Sequence, residues 1–139
     1  CGRTARGNMT ELTALDHLVL TVADVNATVR FYRDTLGMQV EEFVAADGSI
    51  RLALKFGRQK INLHCVGAEF QPNAYRAIPG SADLCFISDG PLDDWQTKLS
   101  SQNVLIEAGP VARTGAMGAI MSIYIRDPDG NLIEISVYD

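Results

Sequence analysis

Two stretches of this chain read alike, and that duplication limits the fold more than any other feature of the sequence. In the first, residues 15–22 form a strand-like run, and Asp24 stands where a helix N-cap is wanted. Val25, Val29, Tyr32 and Leu36 then recur at helical spacing, so a helix is expected over 25–36, ended by Gly37. Strands follow at 38–44, 52–56 and 60–66, with turns at Asp47-Gly48 and 57–59. The second stretch repeats the order. It has a strand at 82–88 and a helix after Asp89-Gly90-Pro91 with the apolar stripe Leu92, Trp95 and Leu99, ended near Asn103. A short strand at 104–107 precedes strands at 119–126 and 131–137, which flank the turn Asp127-Pro128-Asp129-Gly130. Gly48 to His64 spans 16 positions, as does Gly118 to Glu134. His17 to Asp83 spans 66, which places an insertion within 108–117. Three or more such units would suggest a solenoid; two suggest a pseudo-symmetric pair. The expected organisation is one α+β domain over 9–139, with module one at 12–66, a linker at 67–80 and module two at 81–138. Residues 1–8 are read as a cloning remnant.

Alternation along the strands sorts the polar residues. Leu18, Leu20 and Val22 share the face that packs under the helix, and His17 points the other way. His64 likewise points away from Ile61 and Leu63, and Glu134 from Ile133 and Ile135. Asp83 takes the place in the second copy that His17 has in the first. By the equal spacing, His64 and Glu134 are read as the second repeat-related pair. Two imidazoles and two carboxylates on one face make a mixed nitrogen and oxygen donor set, suited to Zn, Mn, Fe, Co or Ni. The bland alternative is that each histidine is an ordinary polar strand residue. Against it, these are the only two histidines in the chain, and a buried Glu134 without a partner would be costly.

Composition removes several classes of function. The net charge of −5 and pI of about 4.9 lack the basic surface that nucleic acid or an anionic membrane requires. No apolar run approaches the roughly 20 residues of a membrane span. Cys65 and Cys85 lie in apolar runs without CxxC spacing, so they are expected to be buried, reduced thiols, which points to the cytoplasm.

The ends of the chain resemble a known superfamily. Residues Leu15-Asp16-His17-Leu18-Val19-Leu20-Thr21-Val22, followed by Phe31-Tyr32 and Leu36-Gly37-Met38, resemble the opening of a vicinal oxygen chelate module, the glyoxalase/bleomycin-resistance/dioxygenase type. Tyr124-Ile125-Arg126-Asp127-Pro128-Asp129-Gly130-Asn131-Leu132-Ile133-Glu134-Ile135 resembles its closing segment. Lys60-Ile61-Asn62-Leu63-His64 and Arg113-Thr114-Gly115-Ala116 are most similar to the glyoxalase domain-containing protein five group. The resemblance implies two βαβββ modules forming a curved mixed sheet around a metal cleft, usually in a dimer. It implies a divalent metal held by His17, His64 and Glu134, with Asp83 a fourth ligand or an acceptor behind one. Bacterial glyoxalase I-like members place a glutamate where His64 is read and a histidine at Asp83, so ligand types are exchanged in position.

Two reactions suit such a site. In a glyoxalase-type lyase or isomerase, the metal holds two neighbouring oxygens of a small substrate while Glu134 or Asp83 moves a proton. The other is Fe(II) extradiol cleavage, which usually needs a further histidine that this chain lacks. A third class, a metal-free drug- or metabolite-binding protein, also occurs among relatives. Ser122, Tyr124 and Arg126 share a strand face, so Ser122 and Tyr124 are candidate substrate contacts, with Tyr124 a possible donor to a substrate oxygen. Arg113, in a glycine-flanked segment, is a candidate partner for an anionic group. The plainer readings are a tyrosine packed on its sheet and a solvated arginine.

Overall fold

The structure, a computed structural model, describes residues 10–139. The segment 1–8 read as a cloning remnant lies outside them. The elements run β1 (His17–Val22), α1 (Val25–Arg30), β2 (Gln39–Val44), β3 (Ile50–Phe56) and β4 (Gln59–Cys65). They continue with β5 (Asp83–Ile87), α2 (Leu92–Ser101), β6 (Ala108–Gly115), β7 (Gly118–Arg126) and β8 (Leu132–Tyr138). The Asp24 carboxylate accepts from the Ala27 N–H at 3.1 Å and starts α1, which runs into a π-helical turn at Phe31–Thr35. Gly37 ends it at φ 80°, the left-handed region that favours glycine.

The α+β, two-module architecture is borne out. There are two four-stranded mixed sheets, ordered β1-β4-β3-β2 and β5-β8-β7-β6. In each, the first and last strands of the module pair in parallel and the other neighbours are antiparallel. One expected strand is corrected. Residues 104–107 are not a strand; β6 begins at Ala108, within the segment read as an insertion. Gly109, at φ 100°, sits so close to β7 that a Cβ there would lie 2.4 Å from the Ser122 carbonyl oxygen. The pairing of β6 with β7 is accordingly bulged between Ala108 and Val111.

One core serves both modules. Leu20, Val22, Leu54 and Ile61 face it from the first sheet, and Ile123, Ile125, Ile133 and Ile135 from the second. Tyr32 and Leu99 fill it from the helices, and Phe56 meets Phe86 edge-on at 5.2 Å across the modules. The alternate strand residues turn outward, and here the cysteine expectation fails. Cys65 and Cys85 are exposed free thiols: Cys85 falls on the outward phase of β5, level with Glu134, whereas Cys65 is in phase with Ile61 and Leu63 but is the last residue of β4.

The Tyr32 hydroxyl donates to Asp127 at 2.7 Å and ties the first helical segment to the β7–β8 turn. Burial, then the Asp127 charge, push the Tyr32 phenol far above its ordinary value. An acid whose folded pKa is raised stabilises the fold fully below its unfolded pKa, and that stability is lost as pH rises past it. Stability is therefore expected to fall above about pH 10, where the unfolded phenol ionises. Tyr32→Phe should cost about 1–2 kcal/mol at neutral pH and remove this part of the alkaline decline, measured by urea unfolding from pH 7 to 11.

Candidate metal-binding face

On β8, Glu134 stands opposite Tyr124 of β7 on one side and level with Cys85 of β5 on the other. Its orientation is set from below. The Ser122 hydroxyl donates to Glu134 Oε2 at 2.6 Å, and Ser136 reaches the same oxygen at 3.3 Å. Both serines are fully buried, and their hydroxyls lie 2.6 Å apart. The second carboxylate oxygen has no such hold and is free to meet a ligand. Asp83 lies on the same face, level with Leu132. Arg113 reaches across from β6, and its Nε donates to the Tyr124 hydroxyl at 3.0 Å.

Asp83, Arg113, Tyr124 and Glu134 line one open depression of about 360 Å³, together with Glu107. Five sequence-predicted residues thus come together here. Ser122 does so from beneath Glu134 rather than from the open surface. Ser136 and Glu107 were not singled out from the sequence. Alternation does place Ser136 with Glu134, whereas nothing in the sequence marks Glu107. Cys85 is poorly suited to act as a nucleophile at this face. Burial, with Glu134 and Asp83 nearby, raises its thiol pKa against the opposing hydrogen bond from Ser136.

His17 and His64 lie on the outward face of the first sheet. His17 is exposed, with Nδ1 2.8 Å from Asp16. The parallel register sets His17 level with Lys60, Val19 with Asn62, and Thr21 with His64. In the second module Asp83 is level with Leu132 and Cys85 with Glu134. Position for position, the counterpart of Glu134 is therefore Asn62, and that of His64 is Ser136. This corrects the pairing inferred from the equal 16-residue spacings. His64 is four strand positions beyond the level of His17, about 13 Å at 3.3 Å per residue. One ion binding nitrogen at about 2.0–2.1 Å does not comfortably take both.

The structure does not bring His17, His64 and Glu134 together within one chain. Among the described residues, no three of His, Cys, Asp and Glu are grouped to hold an ion. His64 is instead buried against Phe70, edge-on at 5.4 Å, and the Arg51 guanidinium covers the Phe70 ring at 3.0 Å. Burial, then Arg51, lower the His64 pKa, with Glu69 opposing, so the imidazole is neutral.

The two outward faces differ in charge. The first carries Arg51, Lys55 and Lys60, the last with its ammonium 4.2 Å from the Phe43 ring centre. The second carries Asp83, Glu107 and Glu134, with Arg126 paired to Glu107 and Arg113 beside Tyr124. Asn62 Oδ1 is buried on the first face without a hydrogen-bond partner. A hard or borderline divalent ion suits these donors: an imidazole, two carboxylates and an orphaned amide oxygen.

Comparison with known proteins places these features. Residues 14–135 match the family model described as Glyoxalase/Bleomycin resistance protein/Dioxygenase superfamily. The chain is 56% identical over 124 residues to the virulence protein STM3117 of Salmonella typhimurium, covering 89% of this chain and 83% of that one. It is similar to the solved integron cassette protein VCH_CASS1 of V. cholerae at TM-score 0.88 and 55% identity, covering 95% and 100% of the two chains. It is also similar to the solved lactoylglutathione lyase of Agrobacterium tumefaciens at TM-score 0.66 and 27% identity, covering 91% and 95%.

Proposed function

This chain belongs to the glyoxalase/bleomycin resistance protein/dioxygenase superfamily, and on that footing we propose that it is a metal-dependent lyase or isomerase of glyoxalase type acting on a small oxygenated substrate. The observation that carries the reading is the second-module face. Glu134 is fixed through one oxygen by two buried serines and left open at the other, with Asp83, Tyr124 and Arg113 around the same depression. His17, Asp83 and Glu134 would hold the ion, with Asn62 as a further oxygen donor. Strand register favours this set over one containing His64. A divalent ion, one of Ni, Co, Mn, Zn or Fe, supplies Lewis-acid polarisation of two neighbouring substrate oxygens.

The chain's own residues supply the rest. Asp83, the exposed carboxylate, has a second oxygen beyond the one a metal would take, and through that oxygen it takes and returns the substrate proton. Tyr124 donates to a substrate oxygen, and Arg113 orients Tyr124 and attracts an anionic group. The site closes across a homodimer, in which the basic first face of one copy covers the acidic second face of the other. Such an arrangement is self-complementary under two-fold symmetry and holds two sites. Val19 and Ile87, about half exposed on these faces, gain cover in the same step. No helix among the described residues is long and apolar enough to cross a membrane. Free thiols at Cys65 and Cys85 suit the reducing cytoplasm.

Protein purified without chelator is expected to carry about one divalent ion per chain by elemental analysis, and to lose thermal stability on stripping and regain it on reloading. Loaded protein should isomerise a hemithioacetal and leave catechol intact. No stoichiometric metal, and no gain in stability from any of the five ions, sinks the reading. Catechol cleavage replaces it with the dioxygenase.

A further inference from the structure

The loop joining β4 to β5 folds back over the His64 end of the first sheet and borders a half-open cavity of about 170 Å³. At roughly 30 Å³ per water, that is room for about five waters or one compact organic molecule. Much of its wall is apolar: Val19, Leu20, Ala77 and Ile78 line it. Most of the polar lining is already committed. Ser81 donates to the Ile78 carbonyl, and Asn73 to that of Phe70. The Asn131 amide is divided between Asp127 and the Ala82 N–H.

Two groups remain. His64 is 7% exposed and no hydrogen bond engages its ring among the described residues; its Nδ1 is closed off from solvent, which leaves Nε2 as the nitrogen able to meet a ligand. Arg76 lines the cavity from the loop and is in no ion pair among the described residues. Among the described residues no Asp or Glu lines the cavity; Arg51, stacked on the Phe70 ring that His64 abuts, and Glu69 both act on His64 from outside it. A largely apolar cavity with an unpaired guanidinium, an imidazole, a hydroxyl and no acid in its lining selects a small anion with an aliphatic body.

We propose that this cavity is a binding subsite for a short-chain aliphatic carboxylate. The carboxylate is held between Arg76 and His64, and the alkyl group lies on Leu20, Ala77 and Ile78. The subsite uses none of the residues assigned above to the metal, so it stands or falls separately from that reading.

Isobutyrate and isobutyramide match in shape and differ in charge, which makes them the probes. Each is titrated into the full chain in the presence of EDTA, followed by saturation-transfer NMR and thermal shift. Isobutyrate is expected to bind saturably and isobutyramide at least tenfold more weakly. Arg76→Gln, at an exposed position, should leave the ligand-free Tm unchanged and weaken isobutyrate about tenfold, the loss of one charge-assisted hydrogen bond. Ala77→Leu should fill the chamber and abolish binding by the folded protein. Equal binding of acid and amide, indifference to Arg76→Gln, or no saturable binding by wild type overturns the proposal. Because the chelator excludes metal throughout, none of these results bears on the lyase reading.

Discussion

Replacing Asp127 with alanine is expected to cost about 3–5 kcal/mol, the largest effect of any single substitution outside the apolar core. The Asp127 carboxylate is almost wholly buried and receives four hydrogen bonds. They come from the Tyr32 hydroxyl at 2.7 Å, the Asn131 side chain at 2.8 Å, and the backbone N–H groups of Asp129 and Asn131, both at 2.9 Å. Alanine leaves all four donors without an acceptor. Each buried donor so orphaned costs roughly 1–3 kcal/mol, reduced where the turn relaxes towards water. The turn also holds the second module to the first, since Asp129 accepts from the Ala23 N–H at 3.2 Å. At about 3 °C per kcal/mol for a chain of this size, Tm should drop by about 10–15 °C. Asp127→Asn keeps one acceptor oxygen and should lose about half as much. Thermal and urea unfolding of the two variants check this; a loss under 1 kcal/mol for the alanine variant would show that the network contributes little.

Glu134→Gln is expected to separate binding from folding. The glutamine oxygen can still accept from Ser122, so the fold should be retained within about 1 kcal/mol. What goes is the negative charge offered to an ion. Removing an outer partner of a metal ligand typically costs 10–100-fold in affinity, and removing the charge of a ligand itself should cost about 100-fold or more. Chelator competition gives the affinity and urea unfolding the stability. Unchanged metal affinity in the variant would remove Glu134 from the metal site.

Much of the fold is legible in the sequence because the chain states it twice. Leu18, Leu20 and Val22 against His17, and Ile133 and Ile135 against Glu134, assign core and outward faces by a period of two. The residue pairing across modules is not legible, for a specific reason. Ala53 pairs with Asn62, and Tyr124 with Glu134; the β7–β8 connection between partners is one residue longer than that of β3–β4. A second extra residue lies between Gly118 and Tyr124 relative to Gly48 and Ala53. The two together slip the count by two, which leaves His64 on the right face and at the wrong level. Burial of the cysteines failed for another reason. Cys85 turns outward with Glu134, and Cys65 is the last residue of β4, where the strand runs out of the core. Ser122 shows the limit of alternation: a strand residue on the ligand side of a sheet is fully buried once a longer side chain lies over it.

The bulge at Gly109 and Pro110 has a bearing on how these molecules behave when crowded. An outer strand with regular, unpaired N–H and C=O groups is a template for another chain to zip onto, the usual start of fibrils. β6 is such a strand, at the limit of its sheet. Its first turn is thrown out of register, and Pro110 has no N–H to offer. At the start of β6, therefore, the edge is a poor template for another strand to extend.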